Sequence, residues 1–381
     1  MDFAWSDEQH AFRQSVSEFA RKELGSDLIE EDRKQEFSWD GWKQCAQFGI
    51  QGLPVPEEYG GGNADILTIA GALEVLGHGC RNNGLIFSLN AHMCGAELPI
   101  MAFGTEEQKR KYLPRLASGE WIGTQAMAES GSDPAGSDPA GGNGALQARA
   151  EHRDGRWILN GSKALVTNGP VADVVVVFAS AEGGVTPFIV EKGGFGIGRT
   201  IETMGLRTAP RADLILADCE LPGEQVLGKV GAGADILAAS ADWESICTLA
   251  GEVGMIKRQL ETSARYAAER RQFGQPIGKF PAVASKVAEI DIRLEISRLL
   301  LYKAAWLKRE GRNPKRETAI AKAYIGDAVI QSCRDALQIH GGYGYMTEYQ
   351  IERELRDAVS GKIHSGTTEA QKTIIAGLQG L

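Results

Sequence analysis

The chain has 381 residues, of which 43% are hydrophobic and 24% charged, enough apolar material for two or three domains with large cores. Its formal net charge of −9 excludes the basic surface that nucleic-acid binding requires and weighs against docking on an anionic membrane. The six cysteines, Cys45, Cys80, Cys94, Cys219, Cys247 and Cys333, stand far apart without a C-x-x-C pair; neither a disulfide framework nor a zinc site is expected, and they read as packed, reduced thiols of a cytoplasmic protein.

The N-terminus, MDFAWSDEQH, lacks the basic region and apolar run of a signal peptide. No stretch approaches the roughly 18 uncharged apolar residues of a membrane span. The first third reads as helical. Ser6 with Gln9 forms a capping box ahead of Phe12, Val16 and Phe19, which recur at helical spacing. Thr105 with Gln108 repeats the box, and GLPVPEEYGGGNAD between them is a turn separating helices. The middle third changes to β-rich runs. Asp154-Gly155 is a hairpin signal, and Asn160-Gly161 reads as a second turn. ADVVVVFASA, VTPFIVEK and ADLILADCEL are further strands of an antiparallel domain.

The last third is helical again. Ile246, Leu249, Val253, Ile256 and Leu260 form one stripe. Val283, Val287, Ile290, Leu294 and Leu301 form another, and a third helix is expected from Thr318 to Ile339. The α, then β, then α order divides the chain into a helical segment 1–121, a β segment 122–228 and a helical bundle 229–381. GSDPAGSDPAGG holds one five-residue unit twice, too short for a solenoid repeat, and reads as a loop with an insertion.

Several short motifs have two physical readings. Gly136, Ser137 and Asp138, or the earlier copy Gly131, Ser132 and Asp133, offer backbone N–H groups and a hydroxyl that suit a diphosphate, or form a plain turn. Arg270 suits a phosphate as a planar cation, or is a solvated charge beside Glu269 and Arg271. Phe273 suits an aromatic cofactor ring or a core. Gln338 with Gly341 and Gly342 marks a close backbone approach to a ligand, or a helix C-cap.

AMAESGSDPAGSD, NGSKALVTNG, ERRQFGQPIGKF, DALQIHGGYGY and LRDAVSGKIHSGTTEAQ resemble, in order and spacing, motifs of the acyl-CoA dehydrogenase family along nearly the whole chain. The resemblance implies an α+β fold with an N-terminal α-helical domain, a middle antiparallel β domain and a C-terminal four-helix bundle. It implies FAD as cofactor, with Met127, Ala128, Gly136, Ser137, Leu165 and Thr167 around the flavin. Arg270, Phe273, Gln338, Gly341 and Gly342 would reach the cofactor of a neighbouring subunit in a homotetramer, and Thr367 and Glu369 would lie near the adenosine end.

Removing an α proton from a thioester needs a base and a polarised carbonyl. Most of the family places the base, a glutamate, in the C-terminal segment, where this chain has Ser365. Some branches, the isovaleryl type among them, carry it instead on a helix, seven residues before a glycine-x-x-glycine step. Here Gly251 and Gly254 form that step and Glu244 stands seven residues before it. At about 100° per residue Glu244 points away from the Ile246–Leu249–Val253 stripe. Its angular neighbours are Cys247, Thr248, Gly251 and Met255, a face that reads as small and uncharged; the alternative reading is a solvated glutamate. By resemblance the Ser365 backbone N–H serves the thioester carbonyl.

Two departures fall near the expected flavin ring, Ala128 ahead of Glu129 in place of a hydroxyl residue and Leu165 in place of an aromatic. The electron acceptor is left open between an electron-transfer flavoprotein and oxygen. The expected substrate is an acyl-CoA or an acyl group on a phosphopantetheinyl carrier protein. The alternatives are an oxidase of prolyl or aminoacyl carrier proteins and a flavin monooxygenase on the same fold; a binding scaffold without turnover is a third.

Overall fold

The computed structural model describes residues 5–24, 28–130 and 146–381. Helices α1 (Asp7–Glu23), α2 (Leu28–Lys34), α3 (Trp39–Phe48), α4 (Ile66–Gly79), α5 (Asn83–His92), α6 (Leu98–Phe103) and α7 (Glu106–Ala117) come first. Both predicted capping boxes form. Ser6 Oγ accepts from Gln9 N at 3.2 Å while Gln9 Oε1 accepts from Ser6 N at 3.0 Å. Thr105 and Gln108 repeat the exchange at 3.2 and 2.9 Å. Each such cap stabilises its helix by about 1 kcal/mol.

A π-helical turn, Met93–Glu97, joins α5 to α6. The continuous run Asn83–Phe103 is, against the sequence expectation, long and apolar enough by composition to span a membrane. Most of it is buried inside the fold, which accounts for its apolar character.

The strands are β1 (Gly123–Ala126), β2 (Arg149–Arg153), β3 (Arg156–Thr167), β4 (Val174–Ala181), β5 (Gly184–Glu191), β6 (Gly196–Thr200) and β7 (Arg211–Pro222). They run in the order β1-β4-β2-β3-β7-β6, with β5 also on β4. The β2–β3, β3–β7, β6–β7 and β4–β5 pairs are antiparallel, and β1 joins β4 in parallel. Strand β4 is apolar and buried from Val174 to Ala179 because both its faces are covered there. Val175, Val177 and Ala179 face the sheet's own core, whereas Val174, Val176 and Phe178 pack with Tyr112, Leu113 and Leu116 of α7.

Asp154 and Gly155 make the predicted hairpin turn, with φ of +50° and +79°. Asn160-Gly161 does not turn the chain. It lies inside β3, where the register against β7 shifts between Leu159 and Gly161. A Cβ on Gly161 would stand 2.6 Å from Ala148 Cα, so the glycine serves a β-bulge and a close backbone approach.

The last part holds α8 (Gly233–Glu269), a short hairpin β8 (Arg271–Gln272) and β9 (Gln275–Pro276), α9 (Pro281–Arg309) and α10 (Lys315–His340), then α11 (Gly342–Tyr345), α12 (Ile351–Val359) and α13 (Thr368–Gly377). One core runs from Val16 and Leu73 of the first helices to Ile246, Leu249, Val253 and Ile325 of the last, so the two helical parts share their interior. The six cysteines are free thiols and all are buried.

Two glycine pairs set the central crossing. A Cβ on Gly77 would stand 2.4 Å from Gly251 O, and one on Gly254 would stand 2.1 Å from Glu74 O. The Gly251–Gly254 step is therefore where α4 and α8 touch backbone to backbone. Near this crossing the carboxylate of Glu74, 1% exposed, gathers Arg13, Arg298 and Tyr302 from α1 and α9.

Candidate functional site

The helix crossing fixes where Glu244 stands, about two turns before Gly251 on α8. Its side chain is half-buried rather than solvated. The Ser365 hydroxyl donates to Glu244 Oε1 at 2.5 Å. Ser365 and Gly366 both have positive φ, +52° and +89°, so the chain turns sharply where it meets the helix. One turn further along α8, Thr248 Oγ1 donates back to Glu244 O at 2.8 Å.

The face beyond Glu244 is small, as expected, but it is charged. Cys247, Thr248 and Met255 are buried there together with Glu252, which is only 8% exposed. Thr248, Gly251, Glu252 and Met255 line a cavity of about 30 Å³ with Ile86, Phe87 and Asn90 of α5, Asp357 and Ala358 of α12, and His364. His364 donates from Nε2 to Glu252 Oε1 at 3.2 Å. Burial lowers the pKa of His364 below 6.5. Lys322 of α10, 1% exposed, donates to His364 O at 2.5 Å. Burial lowers its pKa, against the opposing pull of the Glu252 and Glu244 carboxylates. Asp357 accepts from Asn83 Nδ2 at 2.8 Å and from Leu206 N at 2.6 Å, and burial raises its pKa.

The middle sheet brings a second group of predicted residues towards this cavity. Thr167 Oγ1 accepts from Arg211 Nε at 3.3 Å, and Arg211 lies 5.1 Å over the Phe87 ring. The Phe87 ring in turn packs 5.1 Å from His364. Leu165 is 56% exposed with φ of +59°, and its N–H donates to Asp213 Oδ1 at 3.2 Å. Ala128 O accepts from Ala164 N at 2.7 Å, and Met127 O accepts from Lys163 Nζ at 3.2 Å. Beneath them Lys163 and Glu129 form a buried ion pair at 2.6 Å, with Glu129 also accepting from Gln147 N and Ala148 N. This pair ties the 127–129 segment to β3. Gly136 and Ser137, like the earlier glycine-serine-aspartate copy, lie outside the described residues.

The remaining predicted residues gather elsewhere. Arg270, Gly341 and Gly342 line a cleft of about 540 Å³ with Tyr266, His340 and Tyr343. Arg270 lies 5.4 Å over the Tyr343 ring. Among the described residues, and apart from the chain's own neighbouring backbone, no atom lies within 4 Å of a Cβ built on Gly341 or Gly342, so a ligand can approach that backbone. Gln338 is exposed, and its carbonyl accepts from Gly341 N at 3.2 Å, a helix-end contact. Phe273 is 91% exposed at φ of +49°, which excludes a core role within this chain. Thr367 caps α13, its Oγ1 accepting from Ala370 N at 3.2 Å, and Glu369 is exposed in that helix's first turn.

Sequence reasoning did not single out Glu252, His364, Lys322, Asn90 or Arg211. Two of them carried a signal: Glu252 follows Glu244 by about two turns of α8, and His364 precedes Ser365 in the C-terminal motif. Lys322 and Asn90 carried none, since their burial depends on which helices pack against them.

Three acyl-CoA dehydrogenase domain profiles match the chain, N-terminal over residues 6–120, middle over 124–219 and C-terminal over 231–378. The short-chain specific acyl-CoA dehydrogenase of Clostridium acetobutylicum is 37% identical, covering 99% of each chain. Among solved structures, the prolyl acyl carrier protein oxidase AnaB superposes with a TM-score of 0.94 at 45% identity, covering 99% of this chain and 100% of its own. PigA with FAD and proline does so with a TM-score of 0.94 at 36% identity, covering 100% of both. The chain belongs to the acyl-CoA dehydrogenase family of flavoprotein oxidoreductases that act on CH–CH bonds.

Proposed function

We propose that the protein carries out FAD-dependent α,β-dehydrogenation of an acyl thioester, with Glu244 as the base. The observation that carries this is the Glu244 carboxylate, held at 2.5 Å by Ser365, the sequence neighbour of His364, which lines the cavity between α5 and α8. Glu244 takes the α proton, and the backbone N–H of Ser365 donates to the thioester carbonyl as negative charge develops there. FAD held at this site would supply the acceptor for the hydride that leaves the β carbon.

The residues present suit such a cofactor. Thr167 offers a hydroxyl backed by the Arg211 cation, and the Met127 and Ala128 carbonyls are tied to Lys163 and Ala164 of the strand that carries Leu165 and Thr167. Arg270 and the open backbone at Gly341 and Gly342 suit the cofactor of a neighbouring subunit, and the exposed Phe273 and Tyr345 suit that contact. Ile292, Ile296 and Leu299 form an exposed apolar stripe on α9, which further supports assembly into a homotetramer. The electron acceptor is an electron-transfer flavoprotein or oxygen.

The acyl group arrives on CoA or on the phosphopantetheine arm of a carrier protein. The similarity to AnaB and PigA favours the second reading, a prolyl or aminoacyl carrier protein oxidase. The test is the holoenzyme of Glu244→Gln. It should retain FAD, while flavin reduction by substrate falls by about a hundredfold or more; full activity would remove Glu244 from the mechanism.

A further inference from the structure

Three residues of the cavity wall carry buried hydrogen-bond acceptors that have no donor among the described residues. Glu252 Oε2 is buried without a partner, although its Oε1 is held by His364. Burial favours the neutral ring of His364; with the Nε2 hydrogen directed at Glu252 its Nδ1 is the acceptor, and it too has no partner among the described residues. Asn90, 2% exposed, adds an unpartnered Oδ1 from α5. All three residues line the same cavity.

An acceptor buried without a donor is costly, most of all when it belongs to a carboxylate. The charges nearby leave the imbalance in place. Two carboxylates, Glu244 and Glu252, act on one buried cation, Lys322, whose ammonium is used by His364 O. Asp357 is already engaged by Asn83 and Leu206. An apolar acyl chain would leave all three acceptors unmet. A carboxylate-bearing acyl chain would be repelled.

We propose that Glu252, with His364 Nδ1 and Asn90 Oδ1, forms a subsite for a protonated amine on the acyl group, so that the enzyme selects compact aminoacyl thioesters over hydrocarbon ones. The inference rests on the thioester dehydrogenase reading and adds a specificity-determining residue to it. The cavity's size, about 30 Å³, admits a small cationic group and excludes a long tail.

The test compares two substrates of matched shape on the same pantetheine arm, prolyl and cyclopentanecarbonyl, by anaerobic reduction of the flavin in the holoenzyme. The wild type should favour prolyl by about tenfold or more, the scale of a hydrogen bond to a charged group. Glu252→Gln should collapse that ratio, chiefly through KM for the prolyl substrate. If Glu252→Gln fails to hold flavin, Asn90→Leu is read in the same assay, where the ratio should also fall. Equal use of both substrates by the wild type, or an unchanged ratio in the folded variants, would overturn the subsite and leave the acceptors to bound water only. Reduction by a hydrocarbon thioester but not by prolyl would sink this inference alone; reduction by no thioester would take the dehydrogenase reading down with it.

Discussion

Ser365 Oγ donates to Glu244 Oε1 at 2.5 Å, so the residue in the family's usual base position holds the carboxylate that stands on the helix. In the proposed mechanism the hydroxyl orients Glu244, which remains the base. Ser365→Ala should leave most of the turnover, because the Glu244 carboxylate and the backbone N–H at 365 both remain. Steady-state kinetics on the flavin-loaded variant measure this. A loss as large as that of Glu244→Gln would mean that the hydroxyl takes a direct part.

The Lys163–Glu129 pair, with side chains 0% and 2% exposed, is a structural tie beneath the 127–128 segment. Breaking a buried pair from one side strands the other charge. Lys163→Met should cost about 3–5 kcal/mol in stability, read from urea unfolding, and should weaken flavin retention. A change below about 1 kcal/mol would show that water reaches Glu129.

Burial lowers the pKa of His78, His340 and His364 below 6.5. The unfolded chain takes up protons on these rings as pH falls through about 6.5, whereas the folded protein does not until lower pH. The unfolded state therefore binds more protons in that window, and stability falls as the solution is acidified. The direct check is the slope of unfolding free energy against pH from about 7 to 5.5. His364→Gln should make that slope shallower than the wild type's; an unchanged slope would show that His364 titrates alike in both states.

Phe273, 91% exposed beside the Arg270 cleft, is predicted to act on a second copy of the chain. Phe273→Ala and Arg270→Met should each lower the ratio of flavin to protein after gel filtration, and Phe273→Ala should also weaken association. Full flavin content in both variants would place the cofactor away from this cleft.

Helix positions were legible where a local signal set them. The Ser6 and Thr105 caps, the Ile246–Val253 stripe and the Asp154-Gly155 turn depend on neighbours in sequence. Asn160-Gly161 carries the same turn signal but sits in a strand, because the approach of Ala148 and the pairing with β7 override it. The apolar run Asn83–Phe103 differs from a membrane span only by what surrounds it. In the site, Glu244 was singled out through the family resemblance, since its spacing to Gly251 alone leaves a solvated glutamate open. The polar floor was not, because Glu252, His364 and Asn90 come from three elements that meet only on folding.

Anaerobic titration of the flavin-loaded protein with thioesters, following absorbance at about 450 nm, reads the dehydrogenation itself. Straight-chain acyl-CoAs, isovaleryl-CoA and a prolyl carrier protein make up the series. Bleaching is expected with at least one of them, the prolyl carrier protein foremost, and none of comparable rate in Glu244→Gln. A flavin that no thioester reduces, or one reduced equally well without the Glu244 carboxylate, would contradict the proposed dehydrogenation.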